Sequence, residues 1–129
     1  MNYLFILIGG FFGAILRYII GLLVHPLSNG FPIQTFLINI IGCFFLGFFL
    51  PMAKVNLKPE YTLLIGTGFT GAFTTFSTFS LENVALINEK KLLISLIYLI
   101  SSLVIGISFS YLGFKAANKF NKLKGETSS

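Results

Sequence analysis

Residues 67–80 read TGFTGAFTTFSTFS, and this stretch decides the fold because it interrupts an otherwise apolar segment. Half of its residues are threonine or serine, and two are glycine. β-Branched threonine and flexible glycine both weaken an α-helix. The stretch predicts a membrane helix broken near its middle, with backbone groups exposed along an ion path. The alternative is close packing through small residues, with the hydroxyls bonded back to their own helix.

The rest of the chain has the composition of a membrane protein. Of its 129 residues, 55% are hydrophobic and 10% are charged, whereas soluble domains have about 25% charged residues. A membrane helix needs roughly 20 mostly apolar residues. Four segments meet this need, at about 3–24, 32–52, 61–88 and 92–114. We therefore predict one four-span membrane domain over residues 1–129, in which residues 115–129 form a polar C-terminal tail that frays.

The positive charges predict the orientation, because loops rich in lysine and arginine stay in the cytoplasm. Two cations, Lys90 and Lys91, lie on the other side, with Arg17 recessed in the first span. The side that holds both termini has six lysines: Lys54, Lys58, Lys115, Lys119, Lys122 and Lys124. Both termini are therefore expected in the cytoplasm of a cell-membrane protein. The net charge of +5 fits anionic lipid headgroups better than nucleic acid.

Polar and aromatic side chains inside the spans are the candidate site residues. Asn39 lies in the middle of the second span, where its amide could donate to an anion or bond a neighbouring helix. Phe76 and Phe79 are three residues apart and share a helix face. Their positive ring edges suit an anion path, although lipid-facing filler is the alternative.

Four more residues extend this set. Glu82 lies either at the membrane interface or in a hydroxyl-lined track. Tyr98 and Ser102 lie four residues apart on one face of the last span. Arg17 either extends towards the headgroups or attracts anions into a vestibule.

Four short spans have little room to enclose a pore, so a path at a subunit interface, and hence a dimer, is expected. An enzyme is a poor fit, because the chain contains no aspartate, one histidine, and no H-E-x-x-H, Walker or G-x-S-x-G motif.

Three stretches resemble the signatures of the Fluc (CrcB) family of fluoride channels. They are GGFFGAILRY at 9–18, FPIQTFLINIIGCFFLG at 31–47 and TGFTGAFTTFSTFSLE at 67–82. The resemblance implies an all-α membrane protein whose third helix is broken, assembled as an antiparallel dimer with two fluoride pathways. It also implies passive export of fluoride, which would reduce fluoride toxicity.

The resemblance also assigns roles to residues. The backbone carbonyls of Gly71 and Thr74 would bind a structural sodium ion that is not transported. Gly106 falls where the track would carry another hydroxyl. Asn39, Phe76 and Phe79 would line the fluoride pathway. Glu82, Tyr98 and Ser102 would form the polar track, and Arg17 would lie at the vestibule.

The charge imbalance leaves the partner open. In family members that form homodimers, the lysine and arginine counts on the two sides of the membrane are nearly equal. In this chain they are not. The partner is therefore either a second copy or an oppositely oriented sister chain. Two other functions stay open. A small four-span multidrug transporter would need a carboxylate in the first span, whose only charge is Arg17. A non-transporting assembly subunit would leave the broken third span unexplained.

Overall fold

The structure is a computed structural model that describes residues 2–127, and every regular element in that range is helical. The elements are α1 (Asn2–Leu23), α2 (Ile33–Asn56), α3 (Pro59–Thr62), a π-helical segment (Leu63–Phe69), α4 (Thr70–Phe73), α5 (Phe76–Asn88) and α6 (Leu92–Thr127). The prediction of an all-α chain is confirmed.

Three of these helices, α1, α2 and α6, are long and apolar enough to cross a membrane. The shortest, α1, has 22 residues and extends about 33 Å at a rise of about 1.5 Å per residue. The hydrocarbon core of a bilayer is about 30 Å thick. The chain is therefore a membrane protein, as its composition predicts.

The C-terminal helix is longer than expected, because α6 continues through Thr127. Ala117 is completely buried, the Asn121 side chain donates to the Pro51 carbonyl at 3.5 Å, and Lys124 Nζ donates to Asn56 Oδ1 at 3.0 Å. Alanine and lysine also favour helix. The expected fraying is therefore wrong for residues 115–127, whereas the last two residues lie outside the described range.

The helices pack as two parallel pairs. α1 lies along the π-helical segment and α4, and α2 lies along α6. A Cβ atom on Gly9 or Gly13 of α1 would collide with the carbonyl of Leu64 or Phe69, respectively. Absence of side chains at these glycines lets the two backbones approach closely, as the G-x-x-x-G spacing predicts.

The connections after α1 and after α5 lie together at one end of the molecule. Lys91 covers Gly30 and pairs with Glu89 at 2.7 Å. The Gln34 side chain donates to the carbonyls of Gly21 and Val24 and so satisfies the C-terminal turn of α1. The α2–α3 connection and the end of α6 lie at the opposite end, since the helix pairs run parallel.

Candidate functional site

The helical run that begins at Pro59 stops at Phe73, and the chain becomes helical again at Phe76. Between them Thr74 (φ −75°, ψ 156°) and Thr75 (φ −145°, ψ 114°) are extended. Thr75 is buried, so its backbone polar groups need partners. The two-residue interruption therefore requires support from elsewhere in the chain.

Asn39 of α2 provides that support. Its Nδ2 donates to the Thr75 carbonyl at 3.0 Å, and its Oδ1 accepts from the Thr75 amide at 2.9 Å. One side chain thus satisfies both backbone groups of Thr75. This is the bond to a neighbouring helical segment that the sequence offered as one interpretation of Asn39. These bonds use one of its two N–H donors.

Threonine hydroxyls bond the backbone on both sides of the break. Thr75 Oγ1 caps α5 by accepting from the Thr78 amide at 3.1 Å, and it donates to Thr78 Oγ1 at 2.9 Å. Before the break, Thr74 Oγ1 donates to the Thr70 carbonyl at 2.9 Å. The hydroxyls of this stretch therefore act on its own backbone, as the packing alternative predicts.

The break releases backbone carbonyls, including those of Gly71 and Thr74. In a continuous α-helix the carbonyls of Gly71 and Thr74 would accept from the amides four residues later. Here the Thr75 amide bonds Asn39, and the Thr78 amide bonds the Thr75 hydroxyl. Within residues 2–127, neither carbonyl accepts a hydrogen bond. Gly71 is also exposed on the protomer surface.

Released carbonyls of this kind are ligands for a hard cation such as Na⁺ in discontinuous membrane helices. The described residues contain no cluster of three histidine, cysteine, aspartate or glutamate side chains that could hold a metal. The Gly71 and Thr74 carbonyls have the donor chemistry that a sodium ion would take, and two carbonyls from one chain are too few to coordinate it alone.

A row of aromatic rings leads from the start of α5 into the protein. The Phe76 and Phe79 ring centroids are 5.9 Å apart, and those of Phe79 and Tyr98 are 4.9 Å apart. Phe76 is 79% exposed, whereas Tyr98 is fully buried. The row thus joins the protomer surface to a buried phenol.

Glu82 lies beyond the rings and accepts two hydrogen bonds. Tyr98 Oη donates to Oε2 at 2.8 Å, and Thr35 Oγ1 donates to Oε1 at 2.7 Å. Thr35 was not among the sequence candidates. Its position one helical turn before Asn39 on α2 is the signal that could have found it.

The other candidate residues lie outside this group of bonded side chains. Ser102 lies one turn after Tyr98 on α6 and is partly exposed. Gly106, one turn further, is buried and faces the sulfur of Cys43. Arg17 is partly exposed on α1, and its side chain forms no hydrogen bond or ion pair within residues 2–127. Within the described residues, no cation–π interaction joins Arg17 to the aromatic row.

A cavity of about 410 Å³ opens beside Glu82, at the end of the molecule that holds the connections after α1 and after α5. Phe31, Gln34 and Lys91 contribute to its wall. The carboxylate that accepts from Tyr98 therefore lies between the aromatic row and an opening at the protein surface.

Comparison with known proteins matches residues 4–114 to the family model described as CrcB-like protein, Camphor Resistance (CrcB). A protein of Oceanobacillus iheyensis named fluoride-specific ion channel FluC is 46% identical, over 90% of this chain and 91% of the relative. A Bacillus cereus protein named fluoride-specific ion channel FluC 2 is 47% identical, over 89% and 96%. A Chlorobium phaeobacteroides protein named fluoride-specific ion channel FluC is 42% identical, over 86% and 88%. Because the family model covers most of the chain and these relatives align over nearly their whole length, the chain belongs to the CrcB (Fluc) family.

Proposed function

We propose that the chain is a fluoride-specific ion channel rather than an enzyme, and that it lets fluoride leave the cytoplasm passively. The observation that carries this proposal is the row from exposed Phe76 through Phe79 and Tyr98 to Glu82. The relatives named as fluoride-specific channels support the choice of ion.

The row offers a small anion weak but ordered partners. Positive ring edges of Phe76 and Phe79 attract an anion without binding it tightly, which conduction requires. The unused N–H of Asn39 adds a donor next to the break. The Tyr98 hydroxyl is held by Glu82, and Ser102 continues that face of α6. The Glu82 carboxylate repels anions and thereby limits their residence.

The Pro59–Asn88 stretch serves as the third membrane passage in this proposal, with the Thr74–Thr75 break near its middle. An antiparallel partner related by a two-fold axis would bring its own Gly71 and Thr74 carbonyls to the same point. Four carbonyls would then hold a structural sodium ion. The exposure of Gly71 supports an interface at this point.

The lysine distribution supports cytoplasmic termini in the cell membrane. The cavity beside Glu82 then opens away from the cytoplasm. Arg17, in the outer part of α1, would raise the local concentration of anions at that side. The partner is a second copy or a sister chain of opposite orientation.

Ion efflux from liposomes tests the proposal. Vesicles loaded with fluoride or chloride that contain the purified chain, alone or together with an oppositely oriented sister chain, should release fluoride, read with ion-selective electrodes, and retain chloride; no release of fluoride with either partner would reject the proposal. Phe76→Ile and Phe79→Ile should each abolish release, because aliphatic side chains lack the positive edge. Phe12→Ile is the matched control, since Phe12 is an exposed ring on α1.

Equal release of the two ions would reject fluoride specificity. Normal release by both Phe76→Ile and Phe79→Ile would reject the aromatic path. Robust release by this chain alone would exclude an obligatory sister chain.

A further inference from the structure

A second groove in the described part of the protein lies at the opposite end from the cavity beside Glu82. It has a volume of about 1270 Å³ and runs between the C-terminal halves of α2 and α6, beside the α2–α3 connection. Its walls are mainly aliphatic and aromatic, formed by residues such as Leu50, Leu63, Ile107 and Phe114. Leu50 and Phe114 are exposed, so the groove presents apolar surface that the protomer itself leaves uncovered.

The polar groups of this groove lie at one end. Lys54 is two residues before the end of α2, and Asn118 and Asn121 follow Phe114 on α6. Because α2 and α6 run parallel, these three residues lie at the same end. The 23 residues from Leu92 to Phe114 extend about 34 Å at about 1.5 Å each, which fills the hydrocarbon core of about 30 Å. The polar end of the groove therefore lies at headgroup depth, and its apolar part lies within the acyl region.

The polar end is positively charged and incomplete. Lys54 is exposed and forms no ion pair within residues 2–127. Lys58, Lys115 and Lys119 lie at the same end of the molecule. The Oδ1 atom of Asn121 is buried and has no hydrogen-bond partner in the described chain, so it calls for a donor such as a headgroup hydroxyl, while the lysines supply the positive charge that a phosphate requires.

We propose that this groove is a binding site for one anionic phospholipid, with an acyl chain along Leu50, Ile107 and Phe114. The phosphate lies at Lys54 and Asn118. Basic pockets between membrane helices on the cytoplasmic side have the chemistry that selects anionic headgroups. A zwitterionic lipid fits the apolar part equally well but gains less from the lysines. The lipid site is independent of the ion that the protein transports.

The sequence contains no tryptophan, so a single introduced tryptophan reports on the groove. Phe114→Trp places the indole in the groove wall, and Phe109→Trp is the control on an exposed face of α6 outside the groove. Each variant is reconstituted in phosphatidylcholine vesicles that contain the same small fraction of either brominated phosphatidylglycerol or brominated phosphatidylcholine. Bromine on the acyl chain quenches an indole in contact with it.

In Phe114→Trp, we expect the apparent occupancy by phosphatidylglycerol to exceed that by phosphatidylcholine about fivefold, the effect of one lysine near an anionic headgroup. Phe109→Trp should show no such preference. Adding Lys54→Gln to Phe114→Trp should remove the preference, whereas adding Lys90→Gln, at the opposite end, should leave it unchanged.

Three results would overturn the proposal. Equal quenching by the two brominated lipids would show no anionic site. Quenching by aqueous acrylamide but not by either lipid would show a water-filled groove. Protection from all three quenchers would show that a second protein chain covers the groove.

Discussion

Replacing Asn39 by alanine tests whether one side chain holds the break in the third segment. The wild-type amide makes two hydrogen bonds to the backbone of Thr75, at 3.0 and 2.9 Å. Thr75 is only 7% exposed, so Asn39→Ala leaves a buried N–H and a buried C=O without partners. Each orphaned group costs about 1–3 kcal/mol, although hydrogen bonds between membrane helices average about 0.6 kcal/mol. Taking the low end of the first range for both groups, we expect a loss of about 2 kcal/mol in the free energy of unfolding.

The assay is equilibrium unfolding in mixed micelles of increasing SDS fraction, followed by far-ultraviolet circular dichroism. Asn56→Ala is the matched control, because Asn56 is an exposed asparagine on the same helix, and losing its exposed bond from Lys124 should change stability by at most about 0.5 kcal/mol. Fluoride efflux from the same preparations should fall in Asn39→Ala and persist in Asn56→Ala. An Asn39→Ala protein within about 0.5 kcal/mol of wild type would refute the claim that Asn39 supports the break.

Two further predictions concern glycines. Gly9→Ala should lower the free energy of unfolding by about 1–3 kcal/mol, because its Cβ would collide with the Leu64 carbonyl. Gly21→Ala on the same helix is the control, since its Cβ would meet no atom within 4 Å and should cost nothing. Equal stability of the two variants in the SDS titration would contradict this packing. Gly71→Ala also meets no atom within 4 Å in the protomer, so the protomer should stay folded while dimerisation weakens, as measured by light scattering on dilution in detergent. An unchanged dimer would place Gly71 away from the interface.

Local composition predicted the elements of this fold better than it predicted their pairing. Long apolar stretches made α1, α2 and α6 predictable, because each crosses a bilayer without help from the rest of the chain. The sequence predicted a break within residues 67–80, at Gly71 and Thr74, and in the structure the non-helical backbone lies at Thr74 and Thr75. Glycine and threonine weaken a helix over the whole stretch, and the point at which it opens is the residue that Asn39, 36 residues earlier, hydrogen-bonds.

The same limit applies to the candidate site. Phe76 and Phe79 lie one turn apart, so their contact follows from helix geometry alone. The bond from Thr35 to Glu82 joins residues 47 positions apart, and nothing in the local sequence of either residue indicates it. Thr35 and Asn39 lie one turn apart on α2, so this helix bonds both the break and the carboxylate that follows it. A polar side chain one turn from a buried polar residue is therefore worth considering as part of the same site.

The sodium site proposed at Gly71 and Thr74 is incomplete in a single chain. Two released carbonyls at Gly71 and Thr74 are too few to coordinate a cation, and a phenylalanine that begins the aromatic row is 79% exposed. A partner that supplies the missing carbonyls must present its own break at the same depth. Two copies related by an axis in the membrane plane meet that condition only if they insert in opposite directions. The six lysines at one end favour a single direction of insertion. We therefore expect the chain to pair more readily with a sister of opposite charge bias than with itself.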